Sequence, residues 1–317
     1  MAGALLGFVL LWVLFYAIFR LLPYVSAGAD VVFRAKLQQE TSGTVFPPDH
    51  HARRVLIFGS SKVLAGFVPS YFDQKAAGDG QRYYSYNSGY PAREFFLPQL
   101  QKMVKNDSGV PDILLLTLPW QSRQGRFNVF HLVKSDHDLA EDFFPFRYLI
   151  RDLFLFTVTS RSHGGLLSFY RESRLNAARM LQDRGYYFIT EQSHFANDRL
   201  PDDFHLGTDE PDTIAVRTAD SGSTELRELN RIVEERHIQC FFVPDYRRAA
   251  ERAAAPAVDR PFVELLQRYS SCKLLGPDYY SYPNWMFSDS GHLNRDGAKI
   301  YTSALYNLLA NAVDKGH

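Results

Sequence analysis

The sequence predicts an α/β fold: a parallel sheet in a three-layer sandwich, with an N-terminal transmembrane helix and a helical insertion. Three observations carry this. Short, continuously apolar runs alternate with stretches of helical spacing, which implies parallel βαβ units. An uncharged apolar run opens the chain. A segment at about 122–221 breaks the alternation and is too long for an ordinary connection.

The opening run, Ala4 to Phe19 (ALLGFVLLWVLFYAIF), resumes after Arg20 as LLPYV. With Arg20 snorkelling, it is long enough to cross a bilayer. No Lys or Arg precedes it as a signal peptide requires, so residues 1–25 are expected to stay as an uncleaved anchor. Ser26-Ala27-Gly28-Ala29 supplies the small residues that cleavage would need. Residues 26–52 read as a juxtamembrane linker, with turns at Ser42-Gly43-Thr44 and Pro47-Pro48. Residues 53–317 read as the α/β domain.

Within that domain, Arg53 to Phe58 is a short buried strand, too apolar to alternate. Tyr83 to Asn87 is a second strand, ending in Ser88-Gly89. Ala92 to Lys105 has helical spacing disturbed by Pro98. Asp112 to Leu118 is the clearest strand, stopped by Pro119. Ile238 to Val243 and Lys273 to Leu275 complete the set. Ser223 to Arg236 reads as a helix, and Asn294 to Val313 as the closing helix with Asn294 as its cap. The insertion holds the aromatic run Phe143 to Phe156, a helical run from Leu166 to Gln182 and an Asp-rich stretch from Asn197 to Asp220. It is expected to form a lid or acceptor platform, or a structural helical pair.

The chain has 317 residues and no formal net charge, so no basic stripe argues for nucleic acid. Cys240 and Cys272 fit neither a CxxC nor a metal spacing. They are expected to be buried thiols, with a single disulfide in an oxidising compartment as the alternative. His131, His137, His163, His194 and His205 are too scattered to bind metal. No metal or cofactor is expected. Asp202-Asp203 and Asp209-Glu210 read as solvated loop charge.

The chemistry lies in two segments. Phe58-Gly59-Ser60-Ser61 sits where the first strand stops, and Asp289 and His292 lie three residues apart before the last helix. A serine hydroxyl is a poor nucleophile until a neighbouring base takes its proton. His292 is that base if Asp289 holds its other ring nitrogen. An oxyanion needs donors, and the candidates are the backbone N–H of Ser61, the N–H of Gly89 and the side chain of Gln121. In parallel sheets such groups meet beyond the carboxyl ends of the strands. Lys62 faces solvent or an anionic acceptor. Arg123 and Arg126 are candidates for phosphate or uronate.

These blocks resemble the SGNH (GDSL-like) hydrolase superfamily. Its Gly-x-Ser is matched by Gly59-Ser60-Ser61, a phase that favours Ser61 over Ser60 as nucleophile. Its block-two glycine is matched by Gly89, and its Asp-x-x-His by Asp289 to His292. The likeness covers roughly residues 53–121 and 238–312. The family's Gly-x-Asn-Asp would fall near Leu118-Pro119-Trp120-Gln121-Ser122, where no Asn occurs, and Gln121 is the candidate replacement. With the anchor and Pro119-Trp120, the chain is similar to membrane-anchored envelope proteins of the DltD and AlgJ/AlgX kind. That resemblance implies an acyltransferase at the outer face of the cytoplasmic membrane, periplasmic or extracellular. It would pass acetyl or D-alanyl groups to an envelope polysaccharide or teichoic-acid-like polymer, beside a membrane-bound O-acyltransferase. A carbohydrate esterase, or a non-catalytic polymer-binding partner of such a transferase, is the alternative.

Overall fold

The computed structural model describes residues 2–22, 24–25, 30–48, 51–90, 97–118, 146, 149–188, 195–204, 224–249, 260–277 and 279–314. Ala2–Leu21 forms helix α1. Its stretch Gly3–Leu21 is long and apolar enough to cross a membrane, and none of it is buried inside the protein. Asp30–Thr41 forms helix α2, inside the stretch expected to be a juxtamembrane linker. Its mixed sequence lacks the periodic apolar face that would have marked it as a helix.

The sheet has six strands: β1 (Arg53–Gly59), β2 (Tyr83–Gly89), β3 (Ile113–Leu118), β4 (Gln239–Arg248), β5 (Lys273–Leu274) and β6 (Tyr279–Tyr282). Their order is β2-β1-β3-β4-β5, and β6 pairs with the end of β4. Every pairing among these strands is parallel. Val55, Leu56, Ile57, Phe58 and Ile113 to Leu116 are all buried, so the central strands are covered on both faces. This is why they read as continuous apolar runs. Val55, Ile57, Ile113, Leu115, Phe241 and Val243 share one core cluster. Into it pack Phe72 and Ala76 of helix α4 (Pro69–Gly78) and Tyr301, Leu305 and Leu309 of the closing helix Arg295–Asp314.

Helices α3 and α4, strand β4 and the cysteine pair depart from expectation. Helix α3 (Ser61–Gly66) is too short to show a period, and α4 opens on a proline that reads as a turn. β4 runs five residues past its expected end. Its partner β3 stops at Leu118, opposite Pro244, and Asp245–Arg248 then pair with β6. Pro244 therefore sits where a missing N–H is tolerated. Cys240 of β4 and Cys272 beside β5 form a disulfide, with Cα atoms 4.5 Å apart, which corrects the expectation of two thiols.

The chain divides into two compact units, residues 1–36 with 124–179 and residues 37–123 with 180–317. The first holds α1, helix α6 (Leu149–Ser160) and most of helix α7 (Leu166–Gln182). The second holds the sheet, helix α5 (Leu97–Met103), helix α8 (Thr224–Glu235), helix α9 (Arg260–Tyr269) and helix α10 (Arg295–Asp314). Of the expected insertion, α6 and α7 are described. Residues 119–145 and 205–223 lie outside the described residues.

Candidate active site

The strand order reverses direction at β1, with β2 on one side and β3 on the other. Such a switch point opens a crevice at the carboxyl ends of the strands. Ser61 stands there, two residues past the end of β1 and at the first position of α3. The turn between them needs Gly59, because a Cβ at that position would lie 2.2 Å from Val63 Cγ2 and 2.6 Å from Thr117 Oγ1. Ser60 caps α3, its hydroxyl accepting from the Lys62 N–H. The two adjacent serines thus have separate roles: Ser60 holds backbone, and Ser61 points its hydroxyl at His292.

The second segment is a tight loop. Phe287 and Leu293 form an antiparallel bridge, and the Ser288 N–H donates to His292 O at 2.9 Å. Asn294 closes the loop into α10: its Oδ1 accepts from the Gly297 N–H at 2.9 Å, as a helix cap does. Its Nδ2 donates to Trp285 O at 2.7 Å. The Arg248 Nε donates to Ser290 O at 3.0 Å, so the end of β4 braces the loop between Asp289 and His292.

The two segments meet. His292 Nε2 lies 2.8 Å from Ser61 Oγ. His292 Nδ1 lies 2.8 and 3.0 Å from the two Asp289 carboxylate oxygens. Asp289 Oδ1 also accepts from the N–H groups of Gly291 at 2.8 Å and His292 at 2.7 Å. Burial raises the Asp289 pKa, but these bonds and the His292 charge outweigh it, so the carboxyl is held below its usual value. An ionised carboxylate only accepts, so in the neutral imidazole Nδ1 carries the ring proton and Nε2 is left to accept from Ser61. The His292 and Asp289 side chains are less than one-fifth exposed, and Ser61 is half-buried.

The candidate oxyanion donors divide three ways. The Ser61 N–H is the first of α3 and has no acceptor within the helix. Gly89 has a hydrogen-bond partner of its own. Its N–H donates to Asn87 Oδ1 at 2.8 Å. The missing side chain serves packing instead, since a Cβ there would stand 2.2 Å from the backbone N of Leu64. Gln121 lies outside the described residues, as do Arg123 and Arg126.

Sequence reasoning missed the supports. Asn87 is fully buried on β2 and donates to Val63 O at 2.8 Å and Phe67 O at 2.7 Å. It ties the helix that bears Ser61 to the sheet. Glu40, also fully buried, accepts from Ser88 Oγ at 2.7 Å and the Tyr90 hydroxyl at 2.5 Å. Lys62 is not solvent-facing: its Nζ donates to Tyr246 O at 2.8 Å and lies 3.7 Å from Asp245 Oδ2. A polar residue inside an otherwise buried strand was the signal available for Asn87; Glu40 and Lys62 offered none. Among the described residues no group of His, Cys, Asp or Glu side chains is placed to hold a metal ion.

No family model, curated protein or solved structure matches the chain. What the site can do therefore rests on its own geometry. The arrangement supplies a hydroxyl, a base at hydrogen-bond distance and a carboxylate that orients the base.

Proposed function

We propose that the protein is a membrane-anchored serine acyltransferase of the SGNH type, acting at the outer face of the cytoplasmic membrane. The observation that carries this reading is the hydrogen-bonded line from Ser61 Oγ through the His292 ring to Asp289. Ser61 Oγ attacks the carbonyl carbon of an acyl donor while His292 Nε2 takes its proton. The tetrahedral oxyanion forms against the Ser61 N–H. It collapses to an acyl-serine as His292 returns the proton to the leaving group. An acceptor hydroxyl of an envelope polysaccharide or teichoic-acid-like polymer then attacks. His292 takes that proton and restores it to Ser61. The acyl group is acetyl or D-alanyl, and a membrane-bound O-acyltransferase is the partner that supplies it.

Two further observations support the location. A disulfide persists in oxidising compartments and is rare in the cytosol. The apolar α1 suits a single-pass anchor.

The test is incubation of the full chain with p-nitrophenyl acetate and an oligosaccharide acceptor, with products read by mass spectrometry. Ser61-dependent mass gain on the acceptor is expected. Ser61-dependent acetate release alone would make the protein an esterase. One observation favours a second reading, a non-catalytic polymer-binding partner: the engaged Gly89 N–H leaves one free oxyanion donor among the described residues. That reading predicts neither product.

A further inference from the structure

We propose that α6 is a second membrane element, lying in the lipid beside the C-terminal half of α1 and reaching about half-way into the bilayer. The inference rests on reading α1 as the anchor.

The first observation is composition. α6 reads LIRDLFLFTVTS, and its only charged residues, Arg151 and Asp152, pair with each other at 2.9 Å. One stripe, Leu149, Asp152, Phe156 and Ser160, is buried. The opposite stripe is just as apolar, yet Ile150 is 69% and Phe154 66% exposed, with Val158 beside them. A helix that is apolar all round belongs in a protein core or in lipid, and among the described residues this stripe meets no protein core.

The second observation is register against α1. Phe146, just ahead of α6, packs on Trp12 at 6.0 Å and stacks on Phe15 at 5.9 Å. Further along, Leu153 and Phe156 join Leu22 and Val25 in one cluster with Phe169. Both helices therefore run the same way, side by side. From Trp12 to Leu22 is about ten residues, or ~15 Å of helix. That is half of a hydrocarbon core about 30 Å thick. The exposed faces of α1 and α6 are thus at shared depths, and the same lipid covers both.

The third observation concerns the ends of the two helices. Tyr24 and Tyr170 pair at 5.8 Å where α1 ends, a place suited to interfacial aromatics. Beyond α6, Arg161, Arg171, Arg174 and Arg179 are exposed, at the level of headgroup phosphates. Arg151 has the long stem needed to reach the same level.

The test uses the full chain in phosphatidylcholine–phosphatidylglycerol nanodiscs. Cys240 and Cys272 are paired, so a single introduced cysteine takes a nitroxide label selectively. Phe8→Cys reports α1, Ile150→Cys and Phe154→Cys report α6, and Arg174→Cys reports the headgroup level. The reading is collision with oxygen, which concentrates in lipid, against a water-soluble nickel chelate. Positions 8 and 150 should favour oxygen, position 154 less so, and position 174 should favour nickel. Nickel-favoured collisions at 150 and 154 with oxygen-favoured collisions at 8 would overturn the inference and leave the anchor standing. Nickel-favoured collisions at position 8 as well would remove the anchor and the inference together. Low collision with both reagents at 150 and 154 would mean that a protein surface covers α6, and would also overturn it.

Discussion

A neutral imidazole can accept a proton only at the nitrogen that lacks one, and Asp289 decides which nitrogen that is. Asp289→Asn keeps the size but removes the charge that fixes the tautomer. By the logic of such triads it should lower turnover by about 10⁴-fold. Ser61→Ala and His292→Ala should each lower it on the order of 10⁴–10⁶-fold, and their double mutant no further, because they act as one unit. Acyl-transfer kinetics on the three variants check this, with wild-type rates in any of them counting against the assignment. Asp289 also links stability to pH. Its folded pKa lies below the unfolded value, despite the opposing effect of burial. Its contribution is therefore complete above the unfolded value and is lost as the pH falls through the folded one. Stability measured by denaturant titration should rise with pH across that acid window, and Asp289→Asn should flatten the rise. These residues were legible because a serine at a strand end and Asp-x-x-His before a helix are local patterns. Arg248 was not, since its bond to Ser290 O joins residues 42 apart in sequence.

At the scale of elements, a six-residue helix carries the proposed nucleophile, and such a helix is marginal on its own. Asn87 supplies what it lacks. Its side chain bonds the carbonyls of Val63 and Phe67 and the Gly89 N–H from a fully buried position. Asn87→Ala should cost on the order of 3 kcal/mol, since each stranded buried group costs about 1–3 kcal/mol. Turnover should fall in the fraction that remains folded, because Ser61 loses its placement against His292. Denaturation midpoints together with rates per folded molecule test both parts. An unchanged rate would show that α3 is held by other contacts. Gly89→Ala should also destabilise, through the collision with Leu64. The strands were legible where they were long and buried on both faces, as in Leu114-Leu115-Leu116. α3 escaped notice because its stability comes from a partner on another strand, and β6 because four residues between prolines show little period.

For the whole molecule, the sheet order could be inferred only in outline. Alternating strands and helices imply parallel pairing, yet nothing in the local sequence states that β1 lies between β2 and β3, where the crevice opens. The disulfide was equally hidden, because two cysteines 32 apart carry no distance information until β4 and β5 pair. A cross-link closing a loop of that length should contribute about 3–4 kcal/mol. Cys240→Ser with Cys272→Ser should shift the urea midpoint of the full chain accordingly, with no change in the chemistry at Ser61. Whether Ser61 is an activated nucleophile is read from its labelling by a serine-directed phosphonate, with the adduct mapped by peptide mass spectrometry. The expected result is one adduct, on Ser61, that disappears in His292→Ala while the protein stays folded. No adduct on Ser61 in the wild-type chain, or equal labelling without His292, would contradict it.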